Sequence, residues 1–433
     1  TLVHPGKDVG TYDAYSDQLG YDLIGGATIK PKSLTLGFTN GTRFDKTYDG
    51  SDTVTRTLTK GTNYSLTGFV GSEGADVELA GAVTGKYADK NAGRDKEVTF
   101  QNLALTGTDA GNYTITRARG VGTIAPRGLT LGAVASQTKT YDGNTNADAA
   151  QFHASLGNIV AGEENSVAAT AAGAAYNDKN VARANAVNYT GVALTGTGAG
   201  NYSLAATTAQ GTGTITPRAL TLGTVASQTK TYDGMIAADA SKFRAALNNA
   251  IAGDSVTATA TGATFNDKNV AAANRIDYTG VALAGADAGN YTLAATTAQG
   301  AGSITRRALT VGAVAAQSKT YDSTTSADAA AFHATLGNVV AGEENSVAAT
   351  AAGAAYNDKN VAKASKVNYT GVKLTGTGAG NYAIAETAQG TGTITPRALT
   401  LGAVAAQSKT YDGTTAADAS KFGAALAGTI AGD

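Results

Sequence analysis

One pattern of residues recurs along the chain at a spacing of about 90 residues. Tyr-Asp-Gly occurs four times and Tyr-Asp-Ser once, at intervals of 89 to 93 residues. Gly-Asn-Tyr and Asp-Lys-Asn each occur four times, in the same order and at nearly the same period. Three independent markers at one period indicate a tandem array of similar units. This period is long for a solenoid repeat and is typical of a small β-sandwich domain.

The limits of the units are also marked in the sequence. A Thr-Ile-x-Pro segment ends most units, and a strand-like x-Leu-Thr segment follows at once; Arg306 replaces the proline at one junction. Proline fixes φ, so the junctions at Pro126, Pro217 and Pro396 should be short and stiff. The predicted domains are the tail of a preceding unit at 1–31, repeats 1 to 4 at 32–126, 127–217, 218–306 and 307–396, and the start of a further repeat at 397–433.

Repeat 2 illustrates the strands predicted within a unit. Alternating apolar residues at its start predict a half-buried strand. In a later strand the alternation slips by one residue between Tyr189 and Val192, with Gly191 at the slip, which predicts a β-bulge. Between these strands, Phe152, Leu156 and Ile159 are spaced by four and three residues. That spacing predicts a short helix or helical turn within 146–162.

Two of the recurring motifs predict local structure. In Tyr-Asp-Gly the aspartate can bond the backbone two residues on and the glycine tolerates a positive φ, so the motif predicts a turn, with its tyrosine at the edge of the core. Gly-Asn-Tyr before a strand is similar to the tyrosine corner of immunoglobulin-type sandwiches. The predicted structural residues are Tyr48, Asp49, Gly50, Tyr141, Asp142, Gly143, Tyr232, Asp233, Gly234, Tyr321, Asp322, Tyr411, Asp412 and Gly413 in the turns, Tyr113, Tyr202, Tyr291 and Tyr382 in the corners, and the three junction prolines.

These features together predict an all-β chain. About seven strands per unit, without the Cys–Trp–Cys core of antibody domains, indicate an immunoglobulin-like (Ig-like) β-sandwich. The chain is then an elongated array of tandem sandwiches, each with a short helical insert.

Composition excludes several classes of protein. Lys plus Arg is 33 and Asp plus Glu is 34, so no general electrostatic attraction draws the chain to nucleic acid or to an anionic membrane. No apolar stretch approaches the length of a membrane span, and no leader opens the sequence. The absence of cysteine excludes disulfide and thiolate chemistry.

The few candidate catalytic residues follow the repeat pattern. His153 and His333 occupy equivalent positions, where the other copies have Arg244 and Gly423. A catalytic residue could not be exchanged so freely between copies, so we predict an exposed helix position, no enzyme activity and no cofactor.

Acidic pairs and asparagines allow two further interpretations. Glu163-Glu164 and Glu343-Glu344, with Asp254 and Asp433 nearby in the pattern, could contribute to a calcium site. Ca²⁺ needs six to eight oxygen ligands, however, and solvated loop charge is the simpler interpretation. Asn-x-Ser/Thr could mark glycosylation acceptors, although it coincides with Gly-Asn-Tyr in several copies. Asparagines in this pattern include Asn112, Asn188, Asn201, Asn290 and Asn368.

A lysine stands two residues before the tyrosine of each Tyr-Asp-Gly or Tyr-Asp-Ser motif. It could form an isopeptide crosslink with an asparagine, or it could be an edge-strand lysine that discourages pairing with other chains. The edge-strand role is the simpler one. These lysines are Lys46, Lys139, Lys230, Lys319 and Lys409.

The motifs carry a family likeness across essentially the whole chain. Lys139–Gly143, Asp178–Val181, Gly200–Tyr202 and Thr214–Pro217 resemble the YDG and MBG-type Ig-like repeats of bacteria. Such repeats occur in filamentous-haemagglutinin-like exoproteins and biofilm adhesins, many of them exported by two-partner secretion in Gram-negative bacteria. The resemblance implies a stalk that carries a distal binding domain, at the cell surface or secreted.

The predicted function is therefore structural. The segment would project a binding domain for cell–cell or cell–surface adhesion and biofilm formation. Alternatively, the repeats themselves bind exopolysaccharide or cell-surface glycans, or self-associate with the same adhesin on another cell.

Overall fold

The computed structural model describes residues 2–3, 6–16 and 25–433. The chain forms two compact units, Thr1–Pro217 and Arg218–Asp433. The first contains the tail and repeats 1 and 2, and the second contains repeats 3 and 4 and residues 397–433. Within the described residues every helix is a three-residue 3₁₀ turn, and the rest of the regular structure is strand. The prediction of an all-β chain of tandem Ig-like sandwiches is confirmed.

Repeat 2 shows the arrangement of strands most clearly. It has nine short strands, which are β1 Arg127–Val134, β2 Gln137–Thr140, β3 Ala154–Gly157, β4 Ala168–Thr170, β5 Gly173–Tyr176, β6 Ala186–Thr190, β7 Ala193–Thr195, β8 Tyr202–Leu204 and β9 Thr208–Thr216. The 3₁₀ turns Ala149–Gln151 and Ala199–Asn201 precede β3 and β8.

These strands form three sheets that enclose one core. The four-stranded sheet has the order β2-β9-β6-β5, with β2 parallel to β9 and the other pairs antiparallel. A three-stranded sheet has the order β3-β1-β8, and β4 pairs with β7. The core contains Phe152 and Tyr189, whose ring centroids lie 4.8 Å apart. The buried Gln137 side chain donates to the Tyr189 hydroxyl at 2.8 Å, which satisfies both groups inside the sandwich.

The other repeats follow the same plan. The strands of repeat 1 are Lys32–Ser33, Thr35–Phe38, Lys46–Thr47, Thr53–Thr57, Tyr64–Thr67, Glu78–Leu79, Ala82–Tyr87, Gly93–Leu103, Leu105–Thr106 and Tyr113–Ala125. Those of repeat 3 are Arg218–Val225, Gln228–Thr231, Ala245–Asn248, Thr257–Thr259, Gly262–Phe265, Arg275–Thr279, Ala282–Ala284, Tyr291–Leu293 and Thr297–Thr305. Those of repeat 4 are Arg307–Ala308, Thr310–Val314, Gln317–Thr320, Ala334–Gly337, Ala348–Thr350, Gly353–Tyr356, Lys366–Thr370, Lys373–Thr375, Tyr382–Ala383 and Thr387–Thr395.

The ends of the described chain contain fewer strands. The tail has Leu2–Val3, Gly10–Ser16 and Gly25–Ile29, and residues 397–433 have Thr400–Val404 and Ala424–Ala427. The remaining 3₁₀ turns are Ala110–Asn112, Ala240–Lys242, Ala288–Asn290, Ala329–Ala331, Ala379–Asn381 and Ala419–Lys421. None of the described helices is long and apolar enough to cross a membrane.

The helix predicted within 146–162 is reduced to a single 3₁₀ turn. The Asp148 side chain accepts the N–H of Ala150 at 2.9 Å, which caps the turn at its start. Phe152 is buried directly after it, and the chain then enters β3. The three apolar residues that suggested a helix therefore lie in different elements: Phe152 follows the turn, Leu156 is in β3 and Ile159 is in the loop after β3. Packing of the phenylalanine outweighs the helix propensity of the alanines.

The β-bulge predicted at Gly191 is wrong. β6 and β7 belong to different sheets, since β6 pairs with β5 and β9 while β7 pairs with β4. Gly191 lies between them with φ of 61°, and Asn102 has φ of 50° at the same place in repeat 1. The slip in alternation marks a strand that crosses from one sheet to the next. A register shift is instead found in β1, between Leu131 and Val134.

Candidate functional site: the joint between neighbouring repeats

The Tyr-Asp-Gly turn is held by its own side chains. In repeat 1 the Asp49 carboxylate accepts the N–H of Ser51 at 2.9 Å, and Gly50 has φ of 80°. The ammonium of Lys46 donates to Asp49 at 2.6 Å and to the carbonyl of Thr53 at 2.8 Å. Only 11% of the Lys46 side chain is exposed. The lysine is thus an internal tie that closes the turn.

In repeats 1 to 4 the lysines lie on edge strands as predicted, and their side chains have a further role inside the turn. Lys139 does lie on the edge strand β2, but its ammonium donates to Asp142 at 2.7 Å and lies 5.3 Å from the centroid of the Tyr176 ring. In repeat 2 it also reaches Asn144 Oδ1 at 3.0 Å. The matching residues in the other copies are Ser51, Met235, Thr324 and Thr414. A Lys–Asn crosslink therefore cannot be a general property of this turn.

The tyrosine of the turn reaches into the next repeat. In the first compact unit the Tyr48 hydroxyl of repeat 1 donates to Glu163 of repeat 2 at 2.7 Å. The Tyr202 hydroxyl donates to the other oxygen of the same carboxylate, Oε2, at 2.7 Å. Lys90 Nζ donates at 2.5 Å to Oε1, the oxygen that Tyr48 also bonds. The rings of Tyr48 and Tyr202 meet edge to face with centroids 5.4 Å apart. One carboxylate thus joins the Tyr-Asp-Gly and Asp-Lys-Asn motifs of one repeat to the Gly-Asn-Tyr motif of the next.

The asparagine of Gly-Asn-Tyr makes a second set of contacts across this joint. Asn201 Oδ1 accepts the N–H of Ala92 at 2.8 Å, and its Nδ2 donates to Asn91 Oδ1 at 3.2 Å. Asn201 is 8% exposed, so both bonds are shielded from solvent. The Tyr202 hydroxyl also accepts the N–H of Val160 at 3.2 Å, which fixes the loop that carries Glu163.

The second compact unit repeats this geometry between repeats 3 and 4. Tyr232 and Tyr382 each donate to Glu343 at 2.7 Å, and their rings are again 5.4 Å apart. Asn381 accepts the N–H of Val270 at 2.9 Å and donates to Asn269 at 2.9 Å. Two independent joints with the same partners show that this arrangement belongs to the repeat design.

The contacts of the tyrosine, the asparagine and the lysine with their partners also occur between the tail and repeat 1. The Tyr113 hydroxyl donates to Glu73 at 2.6 Å, and Lys7 Nζ lies 3.6 Å from Glu73. Asn112 Oδ1 accepts the N–H of Val9 at 2.8 Å, as Asn201 accepts that of Ala92.

Each joint also has an apolar part. In the first unit Leu129, Val167 and Tyr202 of repeat 2 belong to the buried cluster that forms the core of repeat 1. In the second unit Leu309 and Tyr382 of repeat 4 belong to the cluster of repeat 3. Between strands of neighbouring repeats the backbone has a single residue, Pro126 in the first unit and Arg306 in the second. The buried cluster of one repeat therefore extends across the joint to a few apolar residues of the next repeat, and repeat 4 keeps a separate core of its own.

Electrostatics favour the ionised carboxylate. The hydrogen bond from Lys90 is the main cause that lowers the pKa of Glu163, and the bonds from Tyr48 and Tyr202 add to it. Burial raises the pKa of Glu343, but the bonds from Tyr382, Tyr232 and Lys268 outweigh it and the net shift is downward. The tyrosine pKa values move upward through burial and these same bonds.

The predicted structural residues are placed as follows. Three turn tyrosines are fully buried, although the sequence predicted a position at the edge of the core; they are Tyr48, Tyr141 and Tyr232. Tyr321 is half-buried, and Tyr411 is 94% exposed. Ser323 takes the positive φ of the turn glycine, 68°. The aspartates Asp49, Asp142, Asp233, Asp322 and Asp412 each pair with the turn lysine.

The likeness of Gly-Asn-Tyr to a tyrosine corner holds only in part. In each complete repeat the hydroxyl bonds to the backbone N–H of a residue about 40 positions upstream, and not to the backbone a few residues away. The same tyrosine hydroxyl also donates to an acidic side chain, three residues after the residue whose N–H it accepts. These acidic residues are Glu73, Glu163, Asp254 and Glu343.

The interpretation of Glu163 and Glu343 as solvated loop charge is wrong. Their side chains are 16% and 18% exposed and they form the centre of the joint, whereas the neighbouring Glu164 is exposed. A signal for this was present in the sequence, because an acidic residue recurs at this position in every copy as Glu73, Glu163, Asp254, Glu343 and Asp433.

Other candidate residues lie apart from the joint. His153 and His333 are exposed, two residues after the end of a 3₁₀ turn. Asn188 and Asn368 are exposed on a strand of the four-stranded sheet. Within the part of the chain that the structure describes, no three His, Cys, Asp or Glu residues are grouped so that they could hold a metal ion.

The fold and the joint together define the chain as a tandem array of Ig-like sandwiches with built-in contacts between neighbours. A family model of the YDG domain matches residues 30–120, 125–209, 216–298 and 305–390. The chain belongs to the YDG domain family.

Solved structures of other Ig-like arrays show only distant likeness. Drosophila N-cadherin EC1-4 is 8% identical, with 68% of this chain and 82% of that chain covered and a TM-score of 0.23. Sidekick-1 immunoglobulin domains 1-5 are 9% identical, with 90% and 86% covered and a TM-score of 0.22. At these TM-scores the superpositions support no conclusion about this protein. No curated protein matches the chain.

Proposed function

We propose that this chain is a stalk segment of a filamentous-haemagglutinin-like bacterial adhesin. The segment lies outside the cell, attached to the outer membrane or secreted, and holds a binding domain away from the surface for adhesion and biofilm formation. Its role is mechanical and not catalytic.

The joint is the observation that carries this proposal. A flexible string of domains needs no specific contacts between neighbours, because a linker alone holds them together. Here three recurring motifs are used for contacts between repeats, and at two joints the buried cluster of one repeat includes apolar residues of the next. Such contacts restrict bending between neighbours, which is what a stalk that transmits force or holds a fixed reach requires.

Small-angle X-ray scattering of the whole chain tests the proposal. Strands that rise about 3.3 Å per residue, together with their loops, give each unit a length of about 40 Å. A stiff array of these units would have a maximum dimension on the order of 180 Å. A compact particle, or the broad distance distribution of freely jointed domains, would contradict the stalk role.

A second candidate function is favoured by the outer face of the four-stranded sheet. In repeat 2 this face presents uncharged polar residues, including Asn188, Thr190 and Thr212, and Gln210 donates to Asn188 at 2.8 Å. Such a face could hydrogen-bond the hydroxyl groups of an exopolysaccharide or a cell-surface glycan. Binding of the whole chain to a glycan array, lost in an Asn188→Lys and Thr212→Lys variant, would support this function, and the absence of any binding would exclude it.

A further inference from the structure

A cleft of about 660 Å³ lies on repeat 1, beside the end of the strand Tyr113–Ala125. Its lining consists mainly of charged and hydroxyl side chains. Its volume is within the range of about 300–1,000 Å³ that small-molecule sites occupy. All of its lining residues belong to repeat 1, so the cleft is formed without a neighbouring repeat.

A β-bulge shapes one wall of this cleft. In the pair of strands Gly93–Leu103 and Tyr113–Ala125, the residues Arg94 and Asp95 together oppose the single residue Thr123. Asp95 takes a left-handed conformation there, with φ of 48°. A bulge re-aims the side chains of its strand, and a strained residue such as Asp95 is typical of a functional site. All three residues of the bulge line the cleft.

The acidic residues of the cleft are specific to repeat 1. Asp45 is replaced in repeats 2, 3 and 4 by Thr138, Thr229 and Ser318, and Asp95 is replaced by alanine in all three. The matching strands of these repeats also begin after the position of the bulge. A residue that the sandwich or the joint required would recur in the other copies. The cleft is therefore an addition to the repeat design.

The charges of the cleft leave one cation without a carboxylate. The Arg43 guanidinium donates to Asp95 at 2.7 Å and to Asp45 at 3.2 Å. It also donates to the Thr123 hydroxyl at 3.0 Å, which holds it in place. Arg94 is exposed, and in the part of the chain that the structure describes no carboxylate lies within 4.0 Å of its guanidinium. A free guanidinium thus shares the cleft with two carboxylates that can accept further hydrogen bonds.

We infer that this cleft binds a hexuronic acid unit of an acidic polysaccharide. The carboxylate of the sugar pairs with Arg94, because the planar guanidinium presents two parallel N–H donors to a carboxylate. The hydroxyl groups of the sugar ring donate to Asp45 and Asp95. The Thr47 hydroxyl, on the facing strand, supplies a further polar contact.

The chemistry of the cleft selects this ligand over other anions and over neutral sugars. The second negative charge of a phosphate would be repelled by Asp45 and Asp95, whereas a uronic acid carries one charge and several neutral hydroxyl groups. A neutral sugar would leave the Arg94 guanidinium without its carboxylate. The cleft is separate from the outer sheet face of repeat 2, and the inference does not depend on the stalk role.

Binding of an acidic oligosaccharide to the whole chain tests the inference. The probe is trigalacturonic acid labelled with fluorescein at its reducing end. The matched control is its methyl ester, which keeps every hydroxyl group of the sugar rings and loses their charge. Anisotropy should show saturable binding of the acid with a dissociation constant of about 1 mM or tighter, and the ester should bind at least about tenfold more weakly. Inorganic phosphate, added at constant ionic strength, should not displace the acid.

Variant chains locate the binding. Arg94→Gln changes an exposed side chain, so folding should be preserved, as an unchanged melting profile would verify. It should weaken binding of the acid at least about tenfold. Arg183→Gln is the matched control, because Arg183 is the exposed counterpart in repeat 2 and does not line the cleft, and it should bind as the wild type does.

Four results would overturn the inference. They are the absence of saturable binding, equal binding of the methyl ester, displacement by phosphate, and binding that survives Arg94→Gln. Binding that survives Arg94→Gln but is lost in the Asn188→Lys and Thr212→Lys variant would assign the sugar to the outer sheet face of repeat 2 instead.

Discussion

At the third position of the Tyr-Asp-Gly turn the backbone is left-handed in every copy. The φ values are 80°, 81°, 78° and 76° at Gly50, Gly143, Gly234 and Gly413, and 68° at Ser323. Glycine adopts this conformation without steric cost, so the motif specifies the turn, and Ser323 bears the strain that glycine avoids. In repeat 1 a second constraint acts on Gly50, because the space beyond its Cα is occupied by Val160 of the next repeat.

Replacement of Gly50 by alanine should destabilise the protein through the joint. A Cβ there would lie 2.8 Å from Val160 Cγ1, so the neighbouring repeat must shift. Gly61 is the matched control, since it has the same φ of 80° and its Cβ would meet nothing within 4 Å. Both substitutions should cost about 1–2 kcal/mol of backbone strain, and Gly50→Ala should cost about 1–3 kcal/mol more from overpacking. Urea unfolding measures the difference, and equal costs would show that Val160 does not constrain the turn.

Removal of the Tyr202 hydroxyl should be more costly than removal of the Tyr48 hydroxyl. Tyr202→Phe leaves the Val160 N–H without its acceptor and takes one donor from Glu163, which should cost about 1–3 kcal/mol. Tyr48→Phe removes only a donor to a carboxylate that keeps two others, and should cost about 1 kcal/mol. Equal melting temperatures for the two variants would contradict this ranking.

At the scale of elements, the joint is built from loops and strand ends of two repeats. The turn after β2 and the loop after β5 lie at one end of a sandwich, and the loop after β3 and the 3₁₀ turn before β8 lie at the other. A single repeat holds all four parts but cannot bring them together. The joint therefore needs the motifs of two neighbouring repeats.

Acid should weaken the joints. The pKa of Glu163 and of Glu343 lies below the ordinary value of 4.5 in the folded protein. The stability that these carboxylates contribute is therefore complete above about pH 4.5 and is lost as the pH falls through the folded-state pKa. The Glu163→Gln and Glu343→Gln double variant should be less stable than the wild type at pH 7, and the difference should shrink towards pH 3. Melting temperatures measured from pH 7 to pH 3 test this, and a constant difference would contradict it.

The sequence predicted the sandwich well and the joint poorly. Alternation, turn motifs and period predict strands and repeats because these depend on neighbours close in the chain. Glu163 meets Tyr48 across 115 positions, so no local pattern relates them. The slip at Gly191 was visible in the sequence, but a bulge and a change of sheet produce the same slip. A bulge and a change of sheet differ only in which strands pair, and strand pairing is set by the tertiary structure.

At the scale of each compact unit, two complete repeats are separate sandwiches that share one joint. Stability in such arrays is approximately the sum of the repeats and of the contacts between nearest neighbours. A substitution at a joint should therefore lower the stability of the repeats on both sides of it. A substitution within a sandwich should lower the stability of that repeat alone.

A comparison of Tyr202→Phe with Tyr189→Phe tests this coupling. Tyr189 is a buried tyrosine whose hydroxyl bonds to Gln137 inside the same repeat. Limited proteolysis should show that Tyr202→Phe increases cleavage in both repeat 1 and repeat 2, and that Tyr189→Phe increases it in repeat 2 alone. The same pattern for both variants would mean that the joint does not couple its neighbours.

Hydrogen exchange measured by mass spectrometry on Glu163→Ala tests the central claim most directly, with Glu164→Ala as the control. Glu163 is the shared partner of Tyr48, Tyr202 and Lys90, and Glu164 is an exposed neighbour. Glu163→Ala should accelerate exchange on both sides of the joint, at 88–92 of repeat 1 and at 159–163 of repeat 2, while Glu164→Ala should leave 88–92 unchanged. Faster exchange confined to repeat 2, or the same profile in both variants, would contradict a joint built from the recurring motifs.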